Sequence, residues 1–575
     1  MVRVGAVAAL LSVAVASDAP SSQPFFPVFH IRPPAGHVND PNGPFRDPRT
    51  GYMHLFMQYC PRGPCDGQGA VPARKPRNYQ SATHFYSKDG GATWAWTGNA
   101  SGVVANCDPL IDASKSCKCK PKPGGVGNTC ESASDCPDDL GVYSGSTTIV
   151  NGVPYYAYPG VHHYTYGNST AVPTMSQCFA TPADPADKTL KAWKKHTFIP
   201  QAQIPHGISQ HFHDDSSMFK ANGRWWIFMG SAECGGKPTG DCPHPAPNAP
   251  SGKGKGVNFL FSSADGPGVA GATWRAEHSL VNTSGFVSCP EFFTLPDMKK
   301  NVYVYHAMGA KNSIGTFDEH KMLFTPDARS QGKYDNGDGH ACKSYWDTKT
   351  SRRIMWCWIS GVFPCQNPQG FECDSMQSVP QTVQYSGPEL DTLIVNPIQE
   401  IEQLRTGLKA NQSFFVLPPT PTSVRGANDA TLDITANFSC TGSSRASCGG
   451  ALQVRGDQSD PRKGGLTVAF KCSQAAGCDF ALCKSTNCTV EQLHMKSRVH
   501  VPFSKAAPFA GEFNMRVLVD TSVVEVYAMS GRAISTILYV PKQHANTAVR
   551  VSSNGDPSSS VNAVVTVYGM GSAYS

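Results

Sequence analysis

The chain has 575 residues, of which 40% are hydrophobic and 16% are charged, and its formal net charge at pH 7 is +6. This composition excludes a disordered chain, and the length allows more than one domain with a large core. No basic run is longer than a pair such as Lys194-Lys195 or Arg352-Arg353, so the positive charge is too diffuse to predict a nucleic-acid partner.

The N-terminus has the pattern of a secretory signal. Arg3 is followed by an apolar run over residues 4–15, and Ala14-Val15-Ala16 is a suitable cleavage site. We therefore predict a signal peptide at residues 1–16 and a secreted protein. A short membrane anchor is the alternative, but the run is well short of the ~18 residues that a spanning helix needs. No later apolar run could span a bilayer, so no membrane partner is predicted.

The most informative motif is Asn-Asp-Pro-Asn-Gly at residues 39–43, which precedes a hydrophobic run at residues 53–57. Pro fixes φ and Asn-Gly supplies positive φ, so the backbone around Asp40 should be tightly held. A rigid, oriented carboxylate at the mouth of a strand suits a nucleophile. Taken alone, these five residues are more typical of a hairpin turn whose Asp caps backbone N–H groups.

Beyond this motif, short strand-like runs recur between Gly, Pro, Asn and Asp residues, and long segments of helical period are nearly absent. This pattern predicts an all-β chain, and its regular spacing over several hundred residues favours a propeller of four-stranded blades. No sequence repeat is clear enough to give the number of blades. Two insertions rich in Gly, Pro, Lys and Cys, at about residues 112–139 and 233–256, are predicted to be surface loops.

The chain contains 21 cysteines, which crowd into loop-like stretches. In a secreted protein these are expected to form disulfides, and the odd total leaves one thiol over unless a bridge is intermolecular. Cys117-Lys118-Cys119 could suggest zinc, but no histidine lies at ligand spacing there, so disulfides are favoured. Six sequons are glycosylation candidates. They begin at Asn99, Asn168, Asn282, Asn411, Asn437 and Asn487.

The whole string at residues 30–43 resembles the N-terminal signature of glycoside hydrolase family 32, the invertases, inulinases, levanases and fructosyltransferases, although the family usually has Trp-Met at His37-Val38. Further segments resemble the family in the same order, at residues 81–94, 143–146, 177–193, 335–337, 352–356 and 519–527. The resemblance implies five propeller blades followed by a β-sandwich. A family-like connector at residues 393–405 places the expected boundary there, with the propeller at residues 17–405 and the sandwich at 406–575.

The resemblance also implies two of the catalytic groups. Retaining glycosidases use a nucleophile and an acid/base about 5 Å apart. Asp40 matches the family's nucleophile residue for residue. The carboxylate that stabilises the transition state falls on Asp214, with His213 in place of the family's Arg; His213 can still donate one hydrogen bond but not a bidentate pair. Asp214 and its neighbour Asp215 could instead be an ordinary turn pair.

The largest departure from the family is at the acid/base. Ser288 stands where the family motif Glu-Cys-Pro-Asp has Glu, and a serine hydroxyl is too weak an acid to protonate a leaving oxygen. Glu291 falls on the motif's Asp, but positions 288 and 291 of a regular strand face opposite sides, so Glu291 could take over only if the backbone is shifted. Two interpretations stay open. Either Glu291 or another carboxylate, with Glu233 a remote candidate, has been recruited, or the general acid is lost.

Five positions are candidates for binding substrate: Asn39, Gln58, Ser144, His213 and Asp335. The first three match family positions that hydrogen-bond a fructosyl unit, although any of them could be ordinary turn or strand residues. Two of the family's sugar-stacking Trp positions are changed, to His37 and Ala82.

The sequence thus predicts a secreted glycosidase that acts on β-fructofuranosides such as sucrose or a fructan. No metal or organic cofactor is implied, because the chemistry is driven by carboxylates. Two alternatives remain: a carbohydrate-binding protein of the same fold without activity, and a transferase that passes the fructosyl group to another sugar.

Overall fold

A computed structural model describes most of the chain after its first 22 residues. The described residues are 23–60, 80–97, 119–121, 128–130, 138, 141–164, 172–199, 208, 214–215, 218–233, 256–267, 272–282, 287–296, 301–306, 310–364, 373–415, 417, 420–441, 447–460, 463–473, 477–484, 498–503, 509–553 and 560–575. The predicted signal peptide lies outside these ranges. Across them, no helix is long and apolar enough to cross a membrane.

The first two blades are antiparallel sheets. Blade one consists of β1 (His37–Arg46), β2 (Met53–Cys60), β3 (Ser81–Ser87) and β4 (Ala95–Trp96). A separate hairpin follows, made of β5 (Cys119–Pro121) and β6 (Asn128–Cys130), so the insertion predicted as a loop contains a short strand pair. Blade two consists of β7 (Gly141–Val142), β8 (Ser146–Val150), β9 (Val153–Tyr164), β10 (Val172–Pro182) and β11 (Trp193–Ile199).

Blades three and four follow the same pattern. Blade three consists of β12 (Asp214–Asp215), β13 (Phe219–Ala221), β14 (Arg224–Ala232), β15 (Gly256–Ser263) and β16 (Arg275–Asn282). Blade four consists of β17 (Ser288–Thr294), β18 (Asn301–His306), β19 (Ala310–Asp318) and β20 (Leu323–Lys333).

Blade five closes the ring. It consists of β21 (Gly339–Asp347), β22 (Arg352–Phe363), β23 (Cys373–Gln377), β24 (Gln381–Tyr385) and β25 (Leu393–Pro397). Strand β23 pairs with β22 on one side and, in parallel, with β1 on the other, so blades one and five share one sheet. The innermost strands contact one another around the axis: β1 lies against β8 and β21, and β17 lies against β12 and β21.

The propeller core lies between neighbouring blades. Phe56 of blade one packs against Tyr156 and Trp193 of blade two, and Phe292 of blade four meets Phe228 of blade three. Because neighbouring blades cover both of its faces, every residue of β2 is buried, including the polar His54 and Gln58.

A 3-10 helix, Gln399–Leu404, leads from the propeller into two packed six-stranded sheets. One sheet contains β26 (Arg405–Phe414), β28 (Thr431–Thr441), β33 (Glu512–Asp520), β34 (Val523–Ala528), β35 (Ala533–Leu538) and β37 (Ser560–Met570). The other contains β27 (Thr422–Ser423), β29 (Ser447–Gly456), β30 (Gly464–Ser473), β31 (Gly477–Cys483), β32 (Arg498–Val501) and β36 (Ala548–Ser553). The predicted all-β fold, a five-bladed propeller followed by a β-sandwich, is confirmed.

Disulfides are present, as the cysteine pattern predicted. In the part of the chain that the structure describes, bridges join Cys342 to Cys357, Cys440 to Cys448, and Cys472 to Cys478. Four more cysteines are disulfide-bonded: Cys60, Cys178, Cys373 and Cys483.

Candidate active site

The Asn-Asp-Pro-Asn-Gly motif lies inside β1, so the alternative of a hairpin turn is wrong. The strand pairs Val38 with Tyr59 and Pro41 with Met57, which leaves two residues opposite one. This β-bulge falls on Asn39 and Asp40, next to a proline that has no N–H to give to the ladder. Gly43 has φ of +43°, as the Asn-Gly pair predicted. The bulge re-aims the Asp40 side chain, which is buried.

Two side chains from other blades hold the Asp40 carboxylate. The Ser144 hydroxyl, in the link between β7 and β8, donates a short hydrogen bond to Oδ2. The Cys289 thiol of β17 donates to the same oxygen at 3.1 Å. Asp40 is therefore oriented from blades two and four while its backbone belongs to blade one.

A chain of amides extends this arrangement. Gln58 Nε2 donates to Ser144 Oγ at 2.6 Å, and Gln58 Oε1 accepts hydrogen bonds from Asn39 Nδ2 at 3.3 Å and from Gln80 Nε2 at 2.9 Å. The structure thus brings together four of the predicted site residues, Asn39, Asp40, Gln58 and Ser144. Gln80 was missed, because it immediately precedes the family-like segment at residues 81–94.

Strand β17 is distorted where the family motif differs. Ser288 pairs with His306 and Glu291 with Val304, so Cys289 and Pro290 form a bulge, and Cys289 has φ of +47°. This positive φ turns the thiol towards Asp40. Cys289 lies within the motif that drew attention to Ser288 and Glu291, but its role was not predicted, because its contact depends on the bulge.

The shifted backbone does not bring Glu291 to Asp40. Glu291 Oε1 accepts from the Ser344 N–H at 2.7 Å, and Oε2 accepts from the Ser344 hydroxyl at 2.8 Å. Arg353 Nε donates to that hydroxyl at 2.8 Å. Burial raises the pKa of Glu291, and the cations of Arg353 and Lys343 oppose the shift. The Glu291 carboxylate is thus hydrogen-bonded to blade five, and this argues against Glu291 as the acid/base.

The other carboxylates lie in different settings. Asp335 Oδ1 accepts from the N–H groups of Gly337 at 2.6 Å and Thr536 at 3.1 Å, so it fastens a turn to β35; burial raises its pKa against these hydrogen bonds. These contacts are those of an ordinary turn residue and argue against substrate binding by Asp335. Glu233 is exposed at the end of blade three. His213 and the side chain of Asp214 lie outside the described residues; the backbone of Asp214 pairs with Gly230.

Two histidines lie at the mouth of the propeller, the end at which strands β1 and β21 begin. His37, in place of a stacking Trp, bonds through Nδ1 to Asp374 Oδ2 at 2.6 Å. Burial raises the pKa of Asp374, but the hydrogen bond and charge of His37 bring it below its usual value. His340, at the start of β21, is half-buried and lies near enough to Asp40 for that carboxylate to affect its pKa. No motif in the sequence singles out His340.

A separate cavity of about 810 Å³ opens at the far ends of the innermost strands, where Phe45, Ile149 and Trp346 line it. Asp40 is not among its lining residues. Within the described ranges, no cluster of three or more His, Cys, Asp or Glu side chains is arranged to hold a metal ion.

Comparison with known proteins extends over nearly the whole chain. The N-terminal domain model of glycosyl hydrolases family 32 matches residues 132–238 and 251–397, and the C-terminal model of that family matches residues 400–568. An acid beta-fructofuranosidase of Vigna radiata var. radiata is 26% identical over 614 residues, covering 95% of this chain and 80% of that protein.

Solved structures share the same architecture. Fructan 1-exohydrolase IIa from Cichorium intybus superposes with a TM-score of 0.70 at 20% identity, over 96% of this chain and 98% of that one. An exo-inulinase from Aspergillus awamori gives a TM-score of 0.66 at 17% identity, over 96% and 99% of the two chains. At these identities the superpositions show a common fold.

Proposed function

This chain belongs to glycoside hydrolase family 32, and we propose that it is a secreted enzyme that hydrolyses β-fructofuranosides, sucrose or a fructan, with retention of configuration. The observation that carries the proposal is the buried Asp40 carboxylate, bound at Oδ2 by Ser144 and Cys289 within the bulge of β1. Such a constrained carboxylate, on a family match, is suited to act as the nucleophile.

In the proposed mechanism, Asp40 Oδ1 attacks the anomeric carbon as the glycosidic oxygen leaves with a proton. Water then displaces the carboxylate and releases fructose, so configuration is retained after two displacements. Asp214, aided by His213, would hold the sugar hydroxyls as positive charge develops on the ring. Asn39 and Gln58, whose amides already form a network beside Asp40, would bind the fructosyl unit.

The substrate class and the location rest on relatives. One structural neighbour was solved in complex with 1-kestose and another in complex with sucrose. Relatives include a vacuolar acid beta-fructofuranosidase and insoluble isoenzymes, and the disulfides of this chain fit an extracytosolic compartment. We propose secretion, with the division between propeller and sandwich near residue 405.

A second candidate is a carbohydrate-binding protein that has lost hydrolysis. Ser288 favours it, because the position carries no carboxylate. The two candidates share a fold and differ in turnover.

The test is product analysis with the secreted protein and its Asp40→Asn variant on sucrose, inulin and levan. Native protein should release fructose from at least one of these substrates. Asp40→Asn should lose turnover by orders of magnitude with an unchanged melting temperature, because the substitution removes the nucleophile and keeps the shape.

Comparable turnover in Asp40→Asn would refute the assignment of Asp40. Binding of sucrose or a fructan without any turnover by the native protein would instead establish the second candidate.

A further inference from the structure

The mouth of the propeller needs a proton donor that position 288 does not supply. Glu291 is hydrogen-bonded to Ser344 of blade five, and Glu233 is exposed at the end of blade three. Among the described residues, a donor would come from another strand that reaches the same corner. The innermost strand of blade five, β21, lies against both β1 and β17 and is the neighbour of each at this corner.

Hydrogen bonds between β17 and β21 indicate that His340 lies at the level of Ser288. Lys343 Nζ donates to the Pro290 carbonyl at 3.0 Å, and the Ser344 N–H donates to Glu291 Oε1 at 2.7 Å. Residues 343–344 therefore lie beside residues 290–291. Counting back three residues along each strand brings His340 beside residues 287–288.

Matching bulges preserve this alignment. The ladder of β17 shifts between Ser288 and Glu291, and the ladder of β21 shifts between His340 and Lys343. Each bulge contains a residue with positive φ, which is +47° at Cys289 and +46° at Ala341. Each strand gains its extra residue just after one of these two positions, so the bulges leave Ser288 and His340 at corresponding places on β17 and β21.

The surroundings of His340 suit an acid/base. Its ring packs edge-on against Trp358, with centroids 6.0 Å apart, and Trp358 is also its ladder partner on β22. The His340 residue is half-buried. Burial and the cation of Lys333 lower the pKa of His340. Three carboxylates oppose that shift, those of Asp335, Asp338 and Asp40.

We propose, on the basis of the function proposed above, that His340 is the general acid/base that stands in for the missing carboxylate at position 288. In the first step the imidazolium gives its proton to the glycosidic oxygen as the bond from that oxygen to the anomeric carbon breaks and Asp40 bonds to the carbon. In the second step the neutral imidazole takes a proton from water as the water oxygen bonds to the anomeric carbon and Asp40 leaves.

This assignment has a pH signature. The first step needs the protonated imidazole, and the net effect of burial against the three carboxylates is a pKa of His340 below 6.5. The kcat/KM for sucrose should therefore fall as pH rises through a value below 6.5. This basic limb of the pH profile should be absent for a substrate whose leaving group needs no proton.

The experiment compares native protein with His340→Gln and His340→Asn on sucrose and on p-nitrophenyl β-D-fructofuranoside, with His278→Gln as an exposed control. We expect both His340 variants to lose about 100-fold or more in kcat/KM on sucrose and less than about 10-fold on the activated substrate, because nitrophenolate leaves without a proton. Azide, which needs no base, should restore turnover of the activated substrate and give fructosyl azide.

Three results would overturn the assignment: sucrose turnover within about 3-fold of native, equal losses on both substrates with a native melting temperature, or an unchanged basic limb in the variants. Asp40→Asn separates this failure from failure of the enzyme itself. If native protein turns over both substrates and Asp40→Asn neither, the proposed function stands whatever His340 does. If native protein turns over neither, the proposed function and the assignment of His340 both fall.

Discussion

At the residue scale, the site depends on one carboxylate whose position is set by side chains of other blades. Ser144 and Cys289 both donate to Asp40 Oδ2, which leaves Oδ1 as the oxygen that we propose attacks the sugar. Ser144 in turn accepts from Gln58, so the hydroxyl is fixed as a donor towards Asp40. Loss of that hydroxyl should change the aim of the nucleophile more than the stability of the fold.

Ser144→Ala should therefore lower kcat on sucrose or a fructan by about 100-fold, because a small misplacement of a reacting group costs about that much. Ser146→Ala is the matched control, since this buried hydroxyl on β8 makes no hydrogen bond to a described residue. Steady-state kinetics and thermal melting of both variants check the prediction. Equal kcat values for the two would show that Ser144 does not position Asp40.

At the element scale, the motifs predicted more than the periodicity did. The alternation of short strands indicated an all-β chain, but the five blades followed from the family resemblance, which the family models and structural matches confirm. The family resemblance likewise predicted that Asp40, Ser144 and Gln58 belong to one site. The resemblance did not predict the positions of Cys289 and His340 or the hydrogen bonds between Glu291 and Ser344. Bulges in β17 and β21 determine them, and no local sequence rule locates a bulge.

The contact between β17 and β21 makes a prediction about Glu291. Glu291→Gln should keep sucrose turnover within a few-fold of native, since the carboxylate serves the junction between blades. It should lower the free energy of unfolding by about 1–3 kcal/mol, because an NH2 donor replaces one of the two oxygens that accept from the Ser344 N–H and hydroxyl. Chemical denaturation and kinetics check both, with exposed Glu233→Gln as the control. Loss of all activity in a stably folded Glu291→Gln would instead make Glu291 the acid/base.

At the scale of the whole molecule, a buried ion cluster joins the N-terminal segment to the sandwich. Asp520, at the end of β33, accepts hydrogen bonds from His30 N and Nδ1 at 2.8 and 2.9 Å, and His30 Nε2 lies 3.3 Å from Glu525 Oε1. All three side chains are fully buried. The family-like segment at residues 519–527 therefore has a structural explanation, since its carboxylates clamp the chain just before β1.

This cluster should make stability depend on pH. Burial alone would lower the pKa of His30, but the charge of Glu525 and the hydrogen bond to Asp520 raise it from 6.5 to about 9. Because the folded pKa is the higher, the stabilisation is complete below pH 6.5 and is lost as pH rises through about 9. The loss should be roughly 3 kcal/mol.

Urea denaturation at pH 6 and pH 9.5 measures this loss, and His30→Gln should remove most of the difference between the two pH values. Equal pH dependence in the native protein and His30→Gln would show that His30 is not the titrating group.

The proposed mechanism requires a covalent bond between Asp40 and the fructosyl unit. Acid quenching during turnover of p-nitrophenyl β-D-fructofuranoside, followed by peptide mass spectrometry, detects that bond directly. We predict that the peptide containing Asp40 carries one fructosyl unit, and that the adduct is absent from Asp40→Asn. A fructosyl unit found on a different carboxylate, or turnover with inverted configuration and no adduct, would contradict the account.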